Sequence, residues 1–311
     1  DTDVVRVTYS YGFSGDIGAG PYPAAASSLT LGVEEFAGND SHKLPASGFS
    51  NSTRIVRAGD RVRPILELTS TAHVLTLGQT NLTLQGLLLI GETFELVVPK
   101  DIEATLVLRQ CTLPPNVVAL KISGEGSLRL IIERCVIGNI EVASPVTARI
   151  SVHDSILGGA LSGGIWMIER STIFGQVNVE SLEIVRDSIF MRSVHVKDVR
   201  RGEIRFSYIG DPNSITPLRT SCQPDQAVLQ SNLDARGRDI LRRQLTPQFT
   251  SERHGDPGYG QLERATDERI RRGAEQKGEM GAFHFLRNHR REQQTRLEFG
   301  TNENTGFFFI T

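Results

Sequence analysis

Aromatic residues make up only 6% of this 311-residue chain, with a single Trp, and the sequence holds just three cysteines and three methionines. Three cysteines cannot all pair within one chain. Cys111, Cys135 and Cys222 also lack a C-x-x-C spacing, so neither a disulfide framework nor a zinc site is expected. An excess of one charge is missing too: 34 Lys+Arg face 36 Asp+Glu, a formal net charge of -2. That balance excludes nucleic-acid binding by bulk charge. No stretch approaches the roughly 20 apolar residues of a membrane helix. The best candidate, residues 82–90, is interrupted by Thr83, Gln85 and Gly86. The chain opens on Asp1 with no charged, then apolar, then small-residue segment behind it, so no signal peptide is expected within it.

What is present is aliphatic and glycine-rich. A hydrophobic fraction of 39% beside 23% charged residues suffices for a core and excludes disorder of the whole chain. Frequent Val, Ile and Leu with 30 glycines suit β-structure built from aliphatic ladders.

A degenerate repeat organises the middle of the chain. An apolar-x-apolar strand is followed by two polar positions, a small Cys or Ser, any residue, and an apolar residue. Leu106 to Leu113, Leu130 to Ile137, Ile150 to Leu157, Trp166 to Ile173 and Leu182 to Ile189 all fit, with a worn copy around Ile204 to Ile209. The small residue falls at 111, 135, 155, 171, 188 and 207, at intervals of 24, 20, 16, 17 and 19. Such intervals, holding short strands and no helical period, match single coils of a stacked solenoid. Gly138, Gly158 and Gly175 mark a turn before a second short strand. The fold expected is therefore an all-β solenoid, a right-handed parallel β-helix with a partly helical C-terminal extension. Its coils are expected over residues 62–210, after an N-terminal strand, loops and cap at 1–61, and before a charged, partly helical cap at 211–311.

Stacking turns each repeat position into a column. The small residues should fill a narrow corner as buried thiols and satisfied hydroxyls. The polar pairs form two charged columns: Gln110, Arg134, Asp154, Arg170, Asp187, and Arg109, Glu133, His153, Glu169, Arg186. Sign mostly alternates along each, which fixes coil register, because like charges directly opposite across strands are disfavoured. The same wall is the candidate site. Polysaccharide lyases and hydrolases need paired carboxylates, or a base beside a cation; here Asp154, Glu169 and Asp187 are the candidate acids, and His153, Arg170, Arg186 and Arg205 the candidate binding residues. Each acid has a cation as its sequence neighbour, which favours a structural or binding ladder over catalysis.

Outside the repeat, Val4 to Tyr11 alternates as a strand, residues 15–20 form a glycine-rich loop, and residues 24–52 read as loose surface structure. After Pro212 the pattern predicts no further coil, but helices over 234–245, over 267–272 with Thr266 as N-cap, and over 283–299. His254, Asp256 and Tyr259 sit in a segment whose first property is turn chemistry. The apolar 306–311 end is expected to add a strand or meet a partner, possible self-association included.

Several segments are familiar together: residues 11–22, Arg205-Phe206-Ser207-Tyr208, Cys222-Gln223-Pro224, residues 254–262, Gly273-Ala274-Glu275 and residues 279–284. In these the chain resembles a family of uncharacterised bacterial right-handed parallel β-helix proteins, some of them near phage-tail-like contractile injection loci. The resemblance implies a bacterial protein, in the cytoplasm or a released particle, and carries no catalytic residue across. The expectation is a non-enzymatic module that binds a partner protein or a surface polysaccharide, without cofactor or metal. A polysaccharide lyase or hydrolase and a structural spacer are the competing readings.

Overall fold

The structure, a computed structural model, describes residues 15–23, 32–44, 49, 54–68, 72–78, 81–115 and 117–287. The strand expected at Val4 to Tyr11, most of the helix expected over 283–299 and the apolar 306–311 end lie outside these residues.

The chain is a β-solenoid. Among the described residues it has three parallel sheets of ten, nine and seven strands; each central coil contributes one strand to each sheet before passing to the next coil, and the end coils add none to the seven-stranded sheet. Strands of the ten-stranded sheet, such as Ser127–Glu133 and Thr147–His153, alternate between core and outside. Their partners in the nine-stranded sheet are two-residue strands such as Val136–Ile137 and Ile156–Leu157. Inside the coils, Leu84, Leu108, Ile132, Val152, Ile168, Val185 and Ile204 form one fully buried column, each in register with the next. Full burial of such a side chain contributes about 1.5–3 kcal/mol, so the column is a principal source of stability. The single Trp166 fills the core at 0% exposure and donates its indole N–H to the Gly163 carbonyl.

The bend between the ten- and nine-stranded sheets explains the Cys/Ser spacing. Ser155, Ser171, Ser188 and Ser207 each donate their hydroxyl to the carbonyl two residues back, at 2.7–2.8 Å. Each also accepts the N–H of the small residue one coil earlier: Cys135 to Ser155, Ser155 to Ser171, Ser171 to Ser188, Ser188 to Ser207. Cys111 and Cys135 continue the relay, the Cys111 N–H meeting the Cys135 Sγ at 3.3 Å. A larger side chain could not occupy the corner, and alanine would leave the N–H of the small residue one coil earlier without its acceptor.

The residue before each small one is left-handed. Gln110, Arg134, Asp154, Arg170, Asp187, Phe206 and Ser221 have φ between 46° and 56°, a conformation that carries roughly 1–2 kcal/mol for an L side chain. Stacking holds it: the N–H of Gln110, Arg134, Asp154, Arg170 and Asp187 each reaches a carbonyl of the following coil.

The coils extend further at both ends than the repeat pattern indicated. Val33–Phe36 and Ser41–Leu44 already pair in parallel with Ile55–Ala58 and Ile65–Leu68, so the region read as loose surface, and placed ahead of a solenoid start at 62, includes strands. Four-residue strands with Glu34, Glu35 and Lys43 exposed carry too little pattern to stand out; the neighbouring coil supplies their partners. Beyond Pro212, Leu218–Thr220 adds a tenth strand to the longest sheet, and Cys222 continues the small-residue column, its Sγ donating to the Ile204 carbonyl.

Among the described residues the C-terminal segment holds three short α-helices, α1 (Asp225–Gln230), α2 (Ala235–Gln244) and α3 (Glu268–Arg271). Asp234 caps α2 within the expected span. The α3 cap is Asp267, whose carboxylate accepts the Arg269 N–H, while Thr266 instead bonds Gln248. At Phe283 the chain forms one 3-10 turn, His284–Leu286, ended by left-handed Arg287.

Two clips fasten the ends of the described chain to the outer face of the nine-stranded sheet. Gly18 donates to the Arg134 carbonyl at 2.7 Å and Ala19 to Thr112 Oγ1 at 2.8 Å. Gly281 donates to the Asp187 carbonyl at 2.7 Å and Ala282 to Thr172 Oγ1 at 3.1 Å. In both, the threonine opens a short strand and the carbonyl belongs to the left-handed residue of the next coil. Both glycines have positive φ, 78° and 93°. Buried Ile17 and Met280 precede them. The face beneath, Val136, Ile156, Ile189 and Tyr208, is thereby sealed.

Candidate functional site

The two charged columns lie side by side at the left-handed bend, where the register forces them. Glu133 pairs with Arg109 on one side and His153 on the other; His153 pairs with Glu169, Glu169 with Arg186 and Arg186 with Arg205. Across four coils they enclose an open groove of about 510 Å³, lined by Arg109, Gln110, Glu133, Arg134, His153, Asp154, Glu169 and Arg170. Its three arginines and three carboxylates cancel, with His153 between them.

Every carboxylate in the groove is engaged. Arg170 binds Asp154 with two parallel contacts, Nε to Oδ1 at 2.8 Å and Nη2 to Oδ2 at 3.3 Å, and reaches Glu169 Oε2 at 3.2 Å through Nη1. His153 Nδ1 stands 3.6 Å from the same Glu169 oxygen. Arg109 Nε meets Glu133 Oε2 at 2.7 Å. The hydrogen bonding that Arg170 donates to the Asp154 carboxylate is the main reason its guanidinium sits above its ordinary pKa. Such a bidentate, partly buried pair is geometrically fixed in a way that single exposed ion pairs are not. Arg134 lies over the Phe285 ring at 4.5 Å, joining the groove rim to the C-terminal clip.

The structure therefore brings His153, Asp154, Glu169 and Arg170 into one groove and separates Asp187 from it. The Asp187 side chain is 7% exposed and accepts the Glu275 N–H at 2.8 Å, beneath the C-terminal segment. Burial raises its carboxyl above the ordinary range, partly opposed by that hydrogen bond and by His284. Arg186 and Arg205 continue the outer column past the groove. Residues missed from the sequence are Arg109, Gln110, Glu133 and Arg134, which complete the lining; their places in the two charged columns were the available signal.

A second hollow of about 420 Å³ lies where the C-terminal loop meets the solenoid, lined in part by Phe174, Arg192, Glu252, His254 and Tyr259. His254 meets Tyr259 edge to face at 5.6 Å, Tyr259 stacks on Phe174, and Asp256 is held in its turn by Ser251 Oγ at 2.7 Å. Burial lowers the His254 pKa and raises that of Tyr259. A Cβ at Gly158 would stand 2.6 Å from the Tyr259 hydroxyl, so this glycine makes room for the loop.

Among the described residues no group of three His, Cys, Asp or Glu could hold a metal ion, and no helix is long and apolar enough to cross a membrane. Compared with family models, with curated proteins and with solved structures, the chain gives no match.

Proposed function

We propose that the chain is a non-enzymatic binding module whose charged groove receives an extended surface glycan. The observation that supports this reading is the pairing of Glu133, Asp154 and Glu169 with Arg109 and Arg170. A general acid or nucleophile needs a carboxylate free to change its protonation or bonding, and here each is tied to a guanidinium. The same pairs leave further N–H groups and oxygens along a preformed polar wall. Hydroxyls can exchange with water there without rearranging the wall, which limits the ordering cost of binding. Coils about 4.8 Å apart repeat this wall at close to the length of one hexose in an extended chain, which favours a linear glycan over a folded protein surface.

The test is a panel of neutral and acidic polysaccharides presented to the full chain, with binding and new reducing ends measured together. Binding without turnover, weakened at least tenfold in Arg170→Ala, is the expected result. Turnover that disappears in Glu169→Gln would overturn the reading in favour of a lyase or hydrolase, and capture of a protein but no glycan would move the groove to protein recognition.

A further inference from the structure

The outer column of the bend alternates in sign or carries a neutral residue until it reaches Arg186 and Arg205. Glu35 stacks on Arg57, Arg109 on Glu133, and Glu169 on Arg186. The next partner of Arg186 is then Arg205. Two guanidinium-bearing strands in direct register are unfavourable unless something negative lies between or over them.

The nearby acids do not supply it to Arg186. Glu169 is bound by Arg170 and faces His153. Asp187 is turned under the C-terminal segment onto Glu275. Glu203 stands 2.8 Å from Arg205 Nε. Arg186 makes no ion pair among the described residues, and its buried Nε has no hydrogen-bond partner there; Arg205 Nε, though close to Glu203, is not aligned for a hydrogen bond either. Two arginines with unused donors thus sit in line with the groove, one coil past its Glu169–Arg170 end.

We propose that Arg186 and Arg205 form an anion subsite at the end of the groove, so that the glycan received there is acidic, carrying a carboxylate or a sulfate. This rests on the glycan reading above and sharpens it. A guanidinium presents a planar fork that matches either oxyanion, and two forks on neighbouring strands can bracket one anionic group. The neutral balance of the groove then positions the sugar rings, while the arginine step selects for charge.

The experiment compares the full chain with Arg186→Gln and Arg205→Gln by calorimetric titration against polygalacturonate, dextran sulfate and neutral dextran. Circular dichroism checks that each variant is folded. The expected result is at least tenfold tighter binding of one acidic polymer than of dextran, with that preference lost in either variant. Preference for polygalacturonate identifies a carboxylate ligand, and preference for dextran sulfate a sulfate ligand. Equal affinity for all three polymers, or an acidic preference that survives both substitutions, would overturn the subsite. Failure of every polymer would overturn the glycan reading instead. In that case inorganic sulfate, titrated against the arginine Nε resonances, decides the subsite alone: a saturable shift at Arg186 and Arg205 supports it, and no shift rejects it.

Discussion

Asp187 accepts the backbone N–H of Glu275 at 2.8 Å, joining a ladder position to a segment 88 residues further along the chain. Burial is the largest influence on this carboxyl and raises its pKa. A carboxyl that holds its proton more tightly when folded contributes stability fully present below its unfolded pKa, about 4, and lost as pH rises through the folded value. Asp187→Asn keeps the acceptor and removes the charge. Thermal denaturation near neutral pH is expected to show it at least as stable as wild type, with the difference shrinking as the pH falls toward about 4. Asp187→Ala leaves the Glu275 N–H without its acceptor and is expected to lose about 1–3 kcal/mol.

The serine relay makes a second prediction. Ser171→Ala removes the acceptor of the Ser155 N–H and the donor to the Glu169 carbonyl in one step. Chemical denaturation is expected to show a loss of about 1–3 kcal/mol. Ser171→Cys, which copies the residue at 111 and 135, is expected to recover most of it.

Gly281→Ala tests the C-terminal clip. Its φ is 93°, and an added Cβ would lie 2.6 Å from Thr172 Oγ1, the atom that receives the Ala282 N–H. The expected loss is about 2–3 kcal/mol. Hydrogen exchange should accelerate first at Ala282 and Gly281, before the coils beneath them.

The left-handed column predicts a gain. Gln110 holds φ at 50°, and its side chain makes no ion pair or hydrogen bond among the described residues. Gln110→Gly relieves the backbone and gives back part of the benefit in unfolded-state entropy, for a net stabilisation of about 0.5–1 kcal/mol. Equilibrium unfolding measures it; a loss of stability would show that the side chain contributes packing at the groove floor.

The repeat was legible because core burial and the corner at 111, 135, 155, 171, 188 and 207 each demand one residue type at one place. Stacking of the polar pairs followed from the same alignment, and with it the meeting of His153, Asp154, Glu169 and Arg170. The left-handed backbone was not legible, since Arg134 and Phe206 have no intrinsic preference for it; bonds to the next coil impose it, as when the Phe206 N–H meets the Thr220 carbonyl. Asp187 looked equivalent to Asp154 because its burial depends on Glu275, far off in sequence. The clips were hidden for the same reason: Ile17-Gly18-Ala19 is an ordinary turn until Thr112 is placed beneath it.

The two clips also meet. Ile17 packs in one cluster with Ala282, Phe283 and Leu286, so segments from opposite ends of the described chain touch above the coils that separate Thr112 from Thr172. A solenoid held only by neighbouring coils can fray from either end, coil by coil. This strap acts over several coils at once and favours their melting as one unit. It also makes coil number a fixed length: one extra coil between the clips would part them by about 4.8 Å and open the seal, so growth of the solenoid is confined to regions outside the strap.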